Sequence, residues 1–127
     1  MRRKFYVASS RDGLPQVLDL TARLEALGWD NTFGWPEHFN HVCSTGTCGI
    51  GSRQELAWSE LRGVRLCDVF IGIARMGKGS NVELGAALIL GRRIILVGMD
   101  PRDSVFYDAD GVTHVASIDD VVRLLTT

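Results

Sequence analysis

Several things are scarce in this chain, and each scarcity removes a class of protein. Cysteine is one: Cys43, Cys48 and Cys67 are the only three in 127 residues. An odd number cannot all pair, so they read as free thiols rather than the disulfide framework of a small secreted domain. Long apolar runs are also missing, because Arg92 and Arg93 interrupt the most apolar stretch well short of the ~20 residues a membrane helix needs. The basic start Met1-Arg2-Arg3-Lys4 leads only into Phe5-Tyr6-Val7-Ala8, shorter than a signal-peptide core of roughly 7–15 residues. A soluble, cytoplasmic protein with no membrane partner is the expectation. Neither sign of charge dominates: 14 Lys+Arg face 15 Asp+Glu, a net charge of −1. A duplex nucleic-acid binder needs a basic face to displace counterions, so that partner is not expected, whereas one bound nucleotide is compatible. Finally, neither G-x-x-x-x-G-K-[ST] nor G-x-G-x-x-G occurs, which disfavours P-loop enzymes and Rossmann dehydrogenases.

What is present is enough for a core. Apolar residues make up 46% of the chain, and a chain of this size buries roughly two-thirds of the surface its unfolded form exposes. One domain over residues 1–127 is expected. Residues 4–8 form an apolar, β-branched and aromatic run that stops at the turn formers Ser9-Ser10-Arg11-Asp12-Gly13. Val17, Leu20, Leu24 and Leu27 then recur at helical steps, with Asp12 as a cap, Pro15 in the first turn and Gly28 at the end. Trp29 to Phe33 is a weak strand candidate.

A helix is expected from Gln54 to Leu66, a doubly buried strand from Cys67 to Ile73, and a helix from about Asn81 to Leu90, closed by Gly91. Ile94-Ile95-Leu96-Val97 marks another buried strand. Val112–Val115 and a helix opened by Ser117 complete the series. Strand and helix alternate throughout, which implies a parallel sheet with helices on both faces.

In such a sheet ligands bind beyond the carboxyl ends of the strands. Ser9-Ser10-Arg11 supplies hydroxyls, a guanidinium and backbone donors at a helix head, suited to a phosphate or a sugar hydroxyl; its plainer reading is an ordinary strand-to-helix turn. Gly77-Lys78-Gly79-Ser80-Asn81-Val82-Glu83 has two readings as well. Ser80 to Glu83 fits a capping box, in which the Glu side chain is committed to its own backbone. Alternatively Glu83 is a carboxylate in the first helical turn, ionised by the helix dipole and free to act as a nucleophile beside a glycine-rich turn. The long segment 34–53 carries His38, His41, Cys43 and Cys48 spaced H-x2-H-x-C-x4-C, which is not a standard zinc pattern. The preferred reading has Trp35 and Phe39 covering an apolar ligand face, with no metal. His114 reads as a strand residue without chemical importance.

The runs Lys4-Phe5-Tyr6-Val7-Ala8-Ser9-Ser10, Thr32-Phe33-Gly34-Trp35-Pro36-Glu37-His38, Cys67-Asp68-Val69-Phe70-Ile71 and, above all, Gly77-Lys78-Gly79-Ser80-Asn81-Val82-Glu83-Leu84-Gly85-Ala86-Ala87-Leu88 resemble the nucleoside 2-deoxyribosyltransferase superfamily. That superfamily includes the 2′-deoxynucleoside 5′-monophosphate N-glycosidases, whose turn after the first strand resembles Ser9-Ser10-Arg11. The resemblance implies a flavodoxin-like three-layer α/β/α fold with a mainly parallel sheet of about five strands. It implies that Glu83 attacks the anomeric carbon of a deoxyribonucleoside and that Tyr6 orients it. Glu60 is the nearest equivalent of an acidic residue, usually Asp, that contacts or protonates the base, and Asp68 is expected to be structural.

By the same resemblance Ser9, Ser10 and Arg11 lie near the 5′ end, with Lys78 and Ser80 helping to hold phosphate, Gly77 and Gly79 allowing close approach, and Trp35 stacking on or covering the base. The implied partner is a small nucleoside or nucleotide, no cofactor is implied, and a homodimer or higher oligomer is expected, with Ser104, Phe106 and Tyr107 available to a neighbouring subunit. The alternative to an N-glycoside-cleaving enzyme is a non-catalytic nucleotide-binding or sensing module of the same fold.

Overall fold

The computed structural model describes residues 2–36 and 53–126. Glu37, His38, Phe39, His41, Cys43 and Cys48 lie outside the described residues, and with them the possible zinc ligands. The described elements are β1 (Lys4–Ala8), α1 (Leu14–Ala26), β2 (Asp30–Asn31), α2 (Arg53–Leu66), β3 (Val69–Ile73), α3 (Lys78–Ile89), β4 (Arg93–Val97), β5 (Val112–Val115) and α4 (Ile118–Thr126). The strands form one five-stranded sheet in the order β2-β1-β3-β4-β5, and every neighbouring pair is parallel. Helices α1 and α4 pack together, as do α2 and α3. This is the flavodoxin-like, three-layer α/β/α arrangement.

The apolar runs become the buried strands for a simple reason: helices cover both faces of the middle of the sheet, so residues of both parities lose water. Phe5, Tyr6, Phe70, Ile71, Ile95 and Leu96 are all fully buried. Asp68 has the structural part expected of it, because its carboxylate accepts the Lys4 amide at 2.9 Å and ties the starts of β1 and β3 together. Gly28 and Gly91, at φ of 92° and 69°, take the left-handed conformation that ends α1 and α3.

Several boundaries differ from the sequence expectation, among them β2, which is only Asp30–Asn31 within the expected Trp29 to Phe33. Asp12 does not cap α1; it lies in a short 3-10 turn over Arg11–Gly13, and Gly13 holds the cap position with no side-chain bond. The glycine is needed there, since a Cβ on it would fall 2.1 Å from Ser9 Oγ. Strand β3 begins at Val69 rather than Cys67, whose thiol turns back to the Val64 carbonyl. Helix α3 begins at Lys78 instead of Asn81, and that shift bears directly on Glu83. Among the described residues no helix is long and apolar enough to cross a membrane.

Connections leave β1 and β3 toward opposite edges of the sheet, since β1 leads to β2 on one side and β3 leads to β4 on the other. A crevice opens where they diverge. Residues just beyond Ala8 and Ile73 therefore face each other across it.

Candidate active site

The floor of the crevice is a phenol and a carboxyl that are 77 residues apart in the chain. Tyr6 is fully buried within β1, and its hydroxyl donates to Glu83 Oε2 at 2.6 Å. Its ring stacks on Phe70, with centroids 6.0 Å apart and planes inclined by 20°. Helix α2 crosses over the ring at Gly63, where a Cβ would stand 2.9 Å from Tyr6 Cδ2. The sequence reading missed Gly63. Its signal is a glycine inside a helix, which costs about 1 kcal/mol relative to alanine and marks a close approach.

The later position of Glu83 in its helix overturns two expectations. Ser80 does not cap α3; Gly77 does, without a side-chain bond, so Ser80 to Glu83 is not a capping box. Glu83 consequently lies beyond the first turn, where the pull of the helix dipole has faded. Its carboxyl is not favoured as the anion. Burial pushes it up to about 8, with the Tyr6 hydrogen bond acting against that rise and the nearby Glu60 charge adding to it.

Glu60, on α2, is raised too, first by burial, while hydrogen bonding with Glu83 and Tyr6 acts in the opposite sense. The Tyr6 phenol is held well above its ordinary value, by burial first and by the two carboxyls next. Two adjacent carboxyls, one buried and one half-buried, cannot both ionise cheaply, so the pair keeps a proton toward neutral pH. The cluster therefore offers one anion, one acid and one fixed donor.

Above this floor is a cavity of about 300 Å³, the lower end of the usual range for ligand pockets. Ser9, Ser10 and Arg11 come to it from the end of β1, Glu60 from α2, and Gly77, Gly79, Ser80 and Glu83 from α3 and the turn before it. Trp35 forms a further wall. The indole is anchored by its N–H, which donates to the Val7 carbonyl at 2.6 Å. That carbonyl is available because β2 pairs only with Lys4 and Phe5 and stops short of it. The Ser10 amide donates to the Arg75 carbonyl at 2.9 Å, joining the two loops across the crevice. Ser10 Oγ is buried and has no hydrogen-bond partner among the described residues, which is costly unless a ligand supplies one.

Two of the expected site residues do not line this cavity. Tyr6 lies beneath its floor, reaching it through Glu83 and Glu60. Lys78 lines a larger hollow of about 480 Å³ with Asn81, Val82, Asp103, Phe106 and Tyr107. Tyr107 is buried with its hydroxyl on Asn81 Oδ1, so it is not exposed to a neighbouring subunit in the way Phe106 is. His114 is outside the cavity and bonds through Nε2 to the Tyr107 carbonyl at 2.7 Å. Among the described residues, no cluster of three or more His, Cys, Asp or Glu could hold a metal ion.

No protein-family model and no curated protein matches the chain. Solved structures do match over nearly its whole length. A CMP N-glycosidase of Clostridium botulinum is 16% identical over 97% of both chains, with a TM-score of 0.65. A conserved protein from Enterococcus faecalis V583 is 14% identical over 97% of this chain and 96% of its own, with a TM-score of 0.71. A 2-deoxyribosyltransferase of Bacillus psychrosaccharolyticus is 23% identical over 94% of this chain and 90% of its own, with a TM-score of 0.63. At these identities the likeness shows a shared fold.

Proposed function

We propose that this chain is a nucleoside 2-deoxyribosyltransferase-like enzyme that breaks the N-glycosidic bond of a 2′-deoxynucleoside or its 5′-monophosphate through a covalent sugar ester on Glu83. The observation that carries the proposal is the Tyr6 hydroxyl on Glu83 Oε2 at 2.6 Å, directly below a cavity that also contains Glu60, Trp35 and the Ser9-Ser10-Arg11 turn. The shared fold with an N-glycosidase and a 2-deoxyribosyltransferase supports it.

The chemistry follows from the protons. Substrate binds with its anomeric carbon over Glu83, and the proton that burial holds on Glu83 passes along the hydrogen bond to Glu60, leaving Glu83 as the anion. As the C1′–N bond lengthens, the sugar becomes oxocarbenium-like and favours the Glu83 anion beneath it. Tyr6 holds Oε2, leaving the other carboxylate oxygen to bond to C1′. The bonding electrons leave with the base nitrogen, which takes the proton from Glu60. Water, or the nitrogen of a second base, then attacks C1′ from the opposite side and gives its proton to Glu60, and Glu83 departs as the carboxylate. Whether hydrolysis or transfer results depends on which acceptor the filled cavity admits.

The Ser10 hydroxyl, which has no partner among the described residues, and Arg11 suit a 5′-phosphate, and Trp35 suits a stacked base. A cytoplasmic location and a homo-oligomer, with Phe106 toward the partner, go with this reading. The test is chromatography of deoxynucleosides and their monophosphates incubated with the protein, with and without a second free base. Base release or exchange by the wild type, abolished in Glu83→Gln, is expected. Folded wild-type protein that releases nothing overturns the proposal.

A second reading, a nucleotide-binding module without turnover, draws on the raised Glu83 carboxyl at the cavity floor. Calorimetric binding that is unchanged in Glu83→Ala, with no base release, would favour it.

A further inference from the structure

Asn81 is a polar residue on α3 that faces away from the reactive cavity, and its side-chain amide is saturated in an informative way. Nδ2 donates to the Gly77 carbonyl at 2.9 Å and approaches the Met76 carbonyl at 3.5 Å. The Gly77 carbonyl also accepts the Asn81 backbone N–H at 3.1 Å, the first bond of the helix. Oδ1 accepts the Tyr107 hydroxyl at 3.0 Å. With acceptors on one end and a donor on the other, the amide has a single satisfactory orientation.

Tyr107 is held in turn. It is buried, its carbonyl is bonded to His114 of β5 at 2.7 Å, and its amide donates to the Ser104 carbonyl at 3.0 Å. A continuous series of bonds therefore runs from the edge of the sheet, through Tyr107 and Asn81, to the turn before α3. On its other side Gly77 of that turn and Gly79 of the first turn of α3 line the cavity wall. Such a turn is poorly fixed by itself, because glycines carry the largest backbone freedom of any residue.

We infer that Asn81 and Tyr107 are positioning residues, a side-chain clamp that fixes Met76, Gly77 and the first turn of α3 so that the glycine backbone at 77 and 79 presents a preformed wall to the substrate. The clamp acts on binding rather than on bond breaking, since neither side chain touches the cavity and Glu83, farther along the same helix, is held separately by the Tyr6 hydroxyl of β1. This inference rests on the proposed reaction for its kinetic consequence and on the hydrogen bonds alone for its structural one.

The experiment has two arms, on Asn81→Leu, Tyr107→Phe and the double variant. In hydrogen–deuterium exchange on the whole protein, peptides covering residues 76–80 are expected to exchange faster in each single variant, while peptides of β3 and β4 do not change. In the kinetic arm, KM rises about tenfold in Asn81→Leu and about threefold in Tyr107→Phe with kcat within twofold, an estimate for loss of one or two hydrogen bonds at about 1 kcal/mol each. Adding Tyr107→Phe to Asn81→Leu has no further effect on KM, because Tyr107 acts through Asn81.

Unchanged exchange at 76–80 overturns the clamp whether or not the protein is an enzyme. Faster exchange with a fall in kcat at constant KM overturns its role in positioning substrate. A wild type that turns over no substrate overturns the enzymatic reading, and the exchange arm still decides the clamp.

Discussion

Helix α3 has a hollow on each side, and the two differ in a way that volume does not reveal. The outer one, about 480 Å³, is the larger and is bordered by the exposed Val82 and Phe106. The inner one, about 300 Å³, has two carboxyls, a buried hydroxyl without a partner among the described residues and an anchored indole. Burying two carboxyls side by side is expensive, and a fold bears such a cost where the groups have work to do. The inner hollow also occupies the crevice between diverging connections, where this topology puts its ligands. Chemistry follows the unfavourable burial of polar groups rather than the volume of a hollow.

The sharpest way to break this comparison is to remove the proposed nucleophile of the inner hollow. Glu83→Gln keeps an acceptor for the Tyr6 hydroxyl, yet base release should fall by at least about 10³-fold, as expected for loss of a covalent nucleophile. Glu60→Gln should cost about 10²-fold, the usual value of a general acid. Its effect should be smallest for substrates whose leaving base needs no proton, a dependence that rate measurements across bases will reveal.

A third consequence concerns stability. The Glu83 carboxyl is raised from 4.5 to about 8 in the folded protein. Below about pH 4.5 both folded and unfolded forms carry the proton and nothing is lost. As pH rises toward 8, the unfolded carboxyl ionises more readily than the buried one and stability declines. Glutamine does not titrate, so Glu83→Gln should melt close to the wild type at pH 4.5 and be more stable at pH 8, on the order of a few kcal/mol. A gap that is constant with pH would show that the carboxyl is not held up by burial. The smallest effect is expected on the outer side: Asp103→Asn, in the larger hollow, should leave base release within about twofold, as surface substitutions do.

Much of the fold is legible in the sequence because the middle of the sheet is covered on both faces. Ile94-Ile95-Leu96-Val97 has few alternatives to a buried strand, and Val112–Val115 coincides with β5. The start of α3 was less legible. Gly77-Lys78-Gly79 reads as a turn by propensity, and Ser80 to Glu83 matches a capping pattern, but contacts in the fold extend the helix back to Lys78.

The meeting of Tyr6 and Glu83 is a different case. No local pattern joins residues 77 positions apart, and only the family resemblance brought them together beforehand. Gly63 and the Asn81–Tyr107 pair escaped notice for the same reason: their partners are tertiary, and a helical glycine or asparagine looks merely unfavourable until the neighbouring element is in place.

The most direct test of the account is the chemical state of Glu83 during turnover. Protein quenched while processing a 2-fluoro-substituted nucleoside or nucleotide, whose fluorine disfavours the oxocarbenium-like transition state, can be digested and its peptides weighed. The account predicts that the peptide containing Glu83 carries one sugar, joined as an ester to that side chain and absent in Glu83→Gln. Base release with the sugar attached to a different residue, or release by Glu83→Gln at the wild-type rate, would contradict it.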